Sequence, residues 1–106
     1  MRTGPDCIGI CRTAETAAAA RALLRHPFAN AQVTADGIAL LPEVHVGLAV
    51  AVDGGLLVPV VRDTAHRDLA ALASETRRLA GLARSGSLGP AELEGGTFSV
   101  SALGAY

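Results

Sequence analysis

The sequence contains no lysine and no tryptophan, only three aromatic residues (Phe28, Phe98 and Tyr106) and only two cysteines. Without lysine the chain cannot form a Schiff base, use a lysine general base or itself carry a lysine-attached lipoate or biotin. With so few aromatics, a core must be assembled from Leu, Val and Ala, which bury less area per side chain and gain from a partner surface. Cys7 and Cys11 stand four apart with no second Cys or His pair at ligand spacing. Two thiols make no closed zinc site, so the pair is expected to be structural or incidental and no metal is expected. No apolar run approaches the ~18 residues of a membrane span, and MRTGPDCIGICR, interrupted by Gly9, lacks the apolar core of a signal peptide. A cytoplasmic protein with no membrane partner is the expectation. Nine arginines are scattered against ten acids for a net charge of −1, which leaves no basic stripe for nucleic acid.

What is present suits one folded domain: 106 residues, half of them apolar, enough to bury a core without staples. The chain is organised around EVHVGLAVAVDGGLLVPVVRD, from Glu43 to Asp63. Val44, Val46, Leu48, Val50 and Val52 alternate with His45, Gly47, Ala49 and Ala51, the period of a strand with one apolar and one small face. Asp53-Gly54-Gly55 reads as a reversing turn, and Leu56 to Val61 as a second strand buried on both faces. Pro59 cannot donate to a ladder, so its nitrogen is expected to face an edge, a bulge or a side chain.

On either side of this hairpin the pattern is helical. TAETAAAARALLRH predicts a helix from Thr13, as N-cap, to His26 before Pro27, with Ala17, Ala20, Leu23 and Leu24 as its buried stripe. Gln32 to Thr34 and Ile38 to Leu41, flanking Ala35-Asp36-Gly37, predict a hairpin in which Asn30 and Asp36 serve local turns. Asp68 predicts the cap of a second helix running to about Ser85, with Leu69, Leu72, Thr76, Leu79 and Ala83 inward and Arg77, Arg78 and Arg84 on a solvated face. Gly86 closes that helix, Gly89-Pro90-Ala91-Glu92-Leu93 makes a short turn, and Gly95-Gly96 precedes an alternating strand to Ser101. The fold class is therefore α/β: a mixed sheet of about five strands with two main helices on one face.

Two segments, HPFANAQVTADGIALLPEVHVGLAVAVDGGLLVPVVRDTAHRDLAAL from His26 to Leu72 and LARSGSLGPAELEGGTFSVSALGAY from Leu82 to Tyr106, resemble one known family in order and spacing. It is the catalytic domain of the dihydrolipoyl acyltransferases of 2-oxoacid dehydrogenase complexes, with the chloramphenicol acetyltransferase-like fold. The resemblance covers residues 13–106 and leaves 1–12 unassigned. It implies acyl transfer between dihydrolipoamide and coenzyme A as substrates, with no covalently bound cofactor. It places Ser101 as the donor of a hydrogen bond to the tetrahedral oxyanion. Ala102 stands where the family has Asn or Ser. Family members continue for on the order of a hundred residues further, and that part holds a His-x-x-x-Asp-Gly motif whose histidine is the general base.

None of the three histidines here, His26, His45 and His66, is followed by Asp-Gly at that spacing, and His45 reads as a sheet histidine. Arg62 and Asp63 match the family's V-R-D and suggest an ion pair fixing the strand-to-helix turn, or a contact with a cofactor or neighbouring subunit. The resemblance implies an N-terminal half, active when completed by a chain carrying the C-terminal half, in a site lying between subunits of a trimer. The alternative is a catalytically inactive assembly or interaction module of the same fold. Either way, exposed apolar sheet surface and self-association are expected, with other 2-oxoacid dehydrogenase complex components as further partners.

Overall fold

The computed structural model describes the backbone of residues 5–101 and the side chains of residues 13–101; Ala102 and the side chains of Cys7 and Cys11 lie outside the described residues. Helix α1 runs Pro5–Arg25 and ends in a 3-10 turn, Pro27–Asn30. Strands β1 (Ala31–Thr34) and β2 (Gly37–Leu40) follow. The central stretch gives β3 (Val46–Leu48), β4 (Val50–Val52), β5 (Gly55–Leu57) and β6 (Val60–Val61). A 3-10 turn, Thr64–His66, leads to α2 (Leu69–Ser85), then α3 (Pro90–Leu93) and β7 (Phe98–Val100).

The four central strands are one hairpin in pieces. β3 pairs antiparallel with β6 (Val46↔Val61, Gly47↔Val60), and β4 with β5 (Val50↔Leu57, Val52↔Gly55), on one continuing register that turns at Asp53-Gly54. Pro59 causes the interruption, and its place corrects the expectation from sequence. It is buried opposite Leu48, whose N–H donates to the Pro59 carbonyl at 2.8 Å. The reciprocal bond is one that proline cannot make, so its nitrogen faces the neighbouring strand after all. The small face of the first strand has a steric reason as well: a Cβ on Gly47 would come 2.8 Å from Val58 Cγ1.

β7 joins the other edge of β3 in parallel, Val46↔Phe98 to Leu48↔Val100, giving a mixed three-stranded sheet in the order β6-β3-β7. α1 and α2 cover one face of it. Ala20, Leu23, Leu72 and Leu79 from the helices meet Val44, Val46, Leu48 and Val61, with Val100 partly buried beside them. Each helix departs in detail from its predicted stripe. α1 begins well before Thr13, because a proline in the first turn of a helix loses no hydrogen bond and one interior glycine costs only about 1 kcal/mol. Thr13 is thus no cap but part of a buried stripe with Thr16, Ala20 and Leu23, while Leu24 is exposed. In α2 the Asp68 carboxylate accepts the Ala71 N–H at 2.8 Å as expected, and Gly86 closes the helix at φ 73°, but Leu69 in the first turn is exposed.

The β1–β2 hairpin does not join the main sheet. It forms a separate two-stranded arm, Ala31↔Leu40 to Thr34↔Gly37, turning at Ala35-Asp36. Asn30 is not the local turn residue expected. It is buried at the arm's root, where its Nδ2 donates to the carbonyls of Leu41 (3.2 Å) and Glu43 (3.0 Å), eleven and thirteen residues away.

Candidate functional site

The residue singled out by the sequence, Ser101, directly follows β7, so whatever sets the register of that strand positions it. Three devices do so. At the N-terminal end, Thr97 brackets His45: its N–H donates to the His45 carbonyl at 2.7 Å, and its Oγ1 accepts the His45 N–H at 3.0 Å. At the C-terminal end the Ala49 N–H donates to the Val100 carbonyl at 3.0 Å. Between α3 and β7 the Arg62 guanidinium donates to the carbonyls of Ala91, at 2.6 Å, and Glu94. Gly95 makes this clamp feasible: its φ of 87° disfavours a side chain, and any Cβ there would collide with the Arg62 guanidinium.

Ser101 is exposed, and among the described residues its hydroxyl has no hydrogen-bond partner. In the parallel register it lies beside Ala49, on the sheet face opposite Val46 and Leu48 together with Gly47 and Ser99. That face is the one the helices leave uncovered. A shallow groove of about 440 Å³, lined by Ala51, Val52, Asp53 and Arg84, opens further along the hairpin towards its tip.

The histidines are elsewhere. His45 meets Thr97 at the start of β7, four residues before Ser101, which at ~3.3 Å per residue is about 13 Å along the strand. It behaves as the sheet histidine expected. Its half-buried ring accepts the Asp63 N–H at Nδ1 (2.9 Å), and Nε2 lies 3.7 Å from Glu43. His66 is exposed in the turn after β6, and His26 at the end of α1. Neither they nor His45 has a bond to Ser101 among the described residues.

The expected Arg62–Asp63 ion pair is replaced by two separate contacts, because Asp63 takes a left-handed conformation (φ 51°) that turns its carboxylate away. Arg62 holds the α3–β7 loop, while the Asp63 carboxylate binds His66 Nδ1 at 2.6 Å. That hydrogen bond lowers the Asp63 pKa and raises that of His66. On α2, Arg78 bonds Glu75 in two places (2.7 and 2.8 Å), holding the Glu75 pKa down, while Arg84 lines the groove. Sequence reasoning did not anticipate the Thr97 bracket or the Arg62 clamp. Gly-Gly-Thr after a short helix was the available signal, since adjacent glycines mark a close backbone approach.

Among the described residues no cluster of three or more His, Cys, Asp or Glu could hold a metal, and no helix is long and apolar enough to cross a membrane.

Residues 13–106 match the family described as 2-oxoacid dehydrogenases acyltransferase (catalytic domain). Over 89 residues the chain is 43% identical to the dihydrolipoyllysine-residue acetyltransferase component of the acetoin cleaving system of Bacillus subtilis, a match covering 84% of this chain and 22% of that protein. It is 38% identical over 89 residues to the mitochondrial pyruvate dehydrogenase protein X component of Mus musculus, covering 84% and 18%. The fold superposes on a crystal structure of the dihydrolipoamide acetyltransferase of Azotobacter vinelandii with a TM-score of 0.83 and 36% identity, covering 87% of this chain and 39% of that one. In that enzyme a serine, a histidine and an asparagine have been investigated for their role in catalysis. The chain thus spans about a fifth of the length of these curated relatives and about two fifths of that solved chain.

Proposed function

Since the chain belongs to the catalytic-domain family of the 2-oxoacid dehydrogenase acyltransferases, we propose that it supplies the serine-bearing part of an acyl-transfer site. The substrates would be an acyl-dihydrolipoamide thioester and coenzyme A. Since these residues include no lysine, the lipoyl group would arrive from outside them. The coenzyme A sulfur attacks the thioester carbonyl as its proton passes to a base. A new carbon–sulfur bond forms, negative charge gathers on the carbonyl oxygen, and collapse expels the dihydrolipoamide sulfur, which takes up the proton. Ser101 would donate its hydroxyl to that oxygen.

One observation carries this reading: an exposed hydroxyl, free of partners among the described residues, at the end of a strand held in register by Thr97 and Arg62. A single oxyanion donor of this kind is worth about 3 kcal/mol of barrier. The base would come from beyond the described residues or from a second polypeptide, since His45 is held at the other end of β7. A thiol of pKa about 8.5 is only a few per cent ionised at neutral pH, so without that base only slow exchange should persist.

Two observations favour a second reading, an inactive assembly module: the described histidines lie away from Ser101, and one relative is named a protein X component rather than a transferase. Mixing the chain with a polypeptide carrying the family's C-terminal half, acyl-dihydrolipoamide and coenzyme A decides between them. Thioester exchange stimulated at least tens of fold, with most of that gain removed by Ser101→Ala, supports transfer. A stable complex without stimulation supports the module.

A further inference from the structure

His45 is held by both its main chain and its ring, and the two grips reach different parts of the fold. Thr97, just before β7, grips the main chain: its N–H donates to the His45 carbonyl at 2.7 Å, and its hydroxyl donates to the same carbonyl at 3.2 Å while accepting the His45 N–H at 3.0 Å. The ring reaches the turn after β6, where Nδ1 accepts the Asp63 N–H at 2.9 Å. A ring nitrogen that accepts a hydrogen bond carries no proton. His45 is therefore neutral in this fold, with its proton on Nε2, 3.7 Å from the Glu43 carboxylate.

The turn that the ring holds bears on β7 from a second side. Asp63 sits at φ 51°, a conformation that a non-glycine residue keeps only where its surroundings hold it. His45 holds its N–H, and His66 holds its carboxylate at 2.6 Å. The preceding residue, Arg62, clamps the Ala91 and Glu94 carbonyls of the loop that leads into β7, and its own carbonyl accepts the Arg67 Nε–H at 2.8 Å. The charged groups around the ring are Glu43 on its own stretch, Arg62, Asp63, His66 and Arg67 in the turn after β6, and Glu94 in the α3–β7 loop; β7 itself carries none. Among the described residues Glu43 is the acid within ion-pair range of the ring. A second proton on His45 must enter at Nδ1, the atom that the Asp63 N–H occupies. Protonation and the Asp63 bond thus exclude each other, and Glu43 stands where it stabilises the resulting cation through Nε2.

We propose that His45 is a positioning residue for Ser101 and that its protonation state sets the hold. Neutral, it fixes the turn after β6 and with it the Arg62 clamp; protonated, it lets go of the Asp63 N–H and loosens the loop that delivers β7. The site is therefore assembled while the ring is neutral and loosened in acid. His45 is not a base for the reaction, since it lies about 13 Å along the strand from Ser101. It acts through Asp63, Arg62 and Thr97. The consequence for turnover rests on the acyl-transfer reading, whereas the link between ring and strand does not.

NMR of the whole chain from about pH 8 to about pH 5, the span in which an imidazole ordinarily titrates, tests it. At the upper end the His45 ring nitrogens should report the Nε2–H form, with a scalar coupling across the bond from the Asp63 N–H to Nδ1. That coupling should vanish as the ring takes its proton, and the amides of Thr97 to Val100 should shift with the same midpoint. His66→Asn should leave this step in place, although His66 lies in the same turn. His45→Asn should abolish it, because an amide oxygen accepts the Asp63 N–H but takes no proton in this range. The proposal is overturned by a His45 that takes its proton with the coupling intact, by Thr97 to Val100 amides indifferent to that event, by a ring that keeps its Nε2–H form throughout, or by a step that His66→Asn removes. Adding the family's C-terminal half, acyl-dihydrolipoamide and coenzyme A carries the test to turnover. In acid the wild-type chain should lose more of its stimulated rate than His45→Asn does, and equal losses would overturn the positioning role. The NMR step without stimulated turnover at any pH would instead sink the acyl-transfer reading, with the link between ring and strand upheld.

Discussion

The chain contains two hairpins built on the same plan, and they meet opposite fates. Each alternates apolar and small or polar residues, and each reverses over two residues. In the central hairpin Val46 has no exposed surface, whereas Val33 in the arm is 88% exposed. The difference lies in what stands over each face. α1 and α2 cover the central hairpin, and nothing among the described residues covers the arm. Alternation decides which residues share a face; a second layer decides whether that face is buried.

The largest test of the contrast compares equivalent truncations. Leu48→Ala should lower stability by about 3 kcal/mol in urea unfolding, because a buried leucine leaves a cavity. Val33→Ala in dilute solution should change it by less than about 0.5 kcal/mol. Equal losses would mean that the arm is covered even in the isolated chain. Next comes the arm's own anchor. Asn30→Ala removes two hydrogen bonds from a buried position and should loosen the arm by about 2 kcal/mol. Hydrogen exchange should then quicken in Ala31 to Leu40 while Val46 to Leu48 stay protected.

Much of this architecture was legible in the residues. The central hairpin, the arm, the α2 cap at Asp68 and the position of Ser101 follow from periodicity, turn chemistry and motif. Hidden from sequence were the features that depend on distant partners. Asn30 looks like any turn asparagine until Leu41 and Glu43 are brought to it. Arg62 beside Asp63 looks like an ion pair until the left-handed turn at Asp63 separates them and sends the guanidinium to the α3–β7 loop. Leu24 and Leu69 fall at helical spacing, but each lies beyond the strip where the two helices and the sheet meet.

A smaller effect probes the uncovered face of the central hairpin. Gly47→Ala should cost about 1 kcal/mol, at the low end for overpacking because Val58 is partly exposed and can shift. A loss as large as that from Leu48→Ala would mean that this face is as tightly covered as the helix side.

The smallest effect lies at the turn after β6, where Asp63 and His66 form an exposed pair. The lowered Asp63 pKa adds stability above its ordinary value of 3.8, lost as pH falls through the folded value. The raised His66 pKa adds stability below its ordinary value of 6.5, lost as pH rises through the folded value. The pair is therefore fully effective only between those limits. Following the imidazole by NMR should show His66 titrating above its ordinary range, and Asp63→Asn should return it there. An unchanged titration would detach His66 from this turn.

The parallel pairing of β7 with β3 has a consequence for the order of events in folding. Each hairpin closes a short loop, but the bond between Thr97 and His45 joins residues 52 apart in sequence. Long-range pairing pays its loop-closure entropy before the contacts return it, so such strands form slowly. β7 should dock after the hairpins and helices are in place, and on unfolding it should be among the first elements released. Ser101 directly follows that last-arriving strand, so the chain can hold most of its structure while the hydroxyl is still out of position.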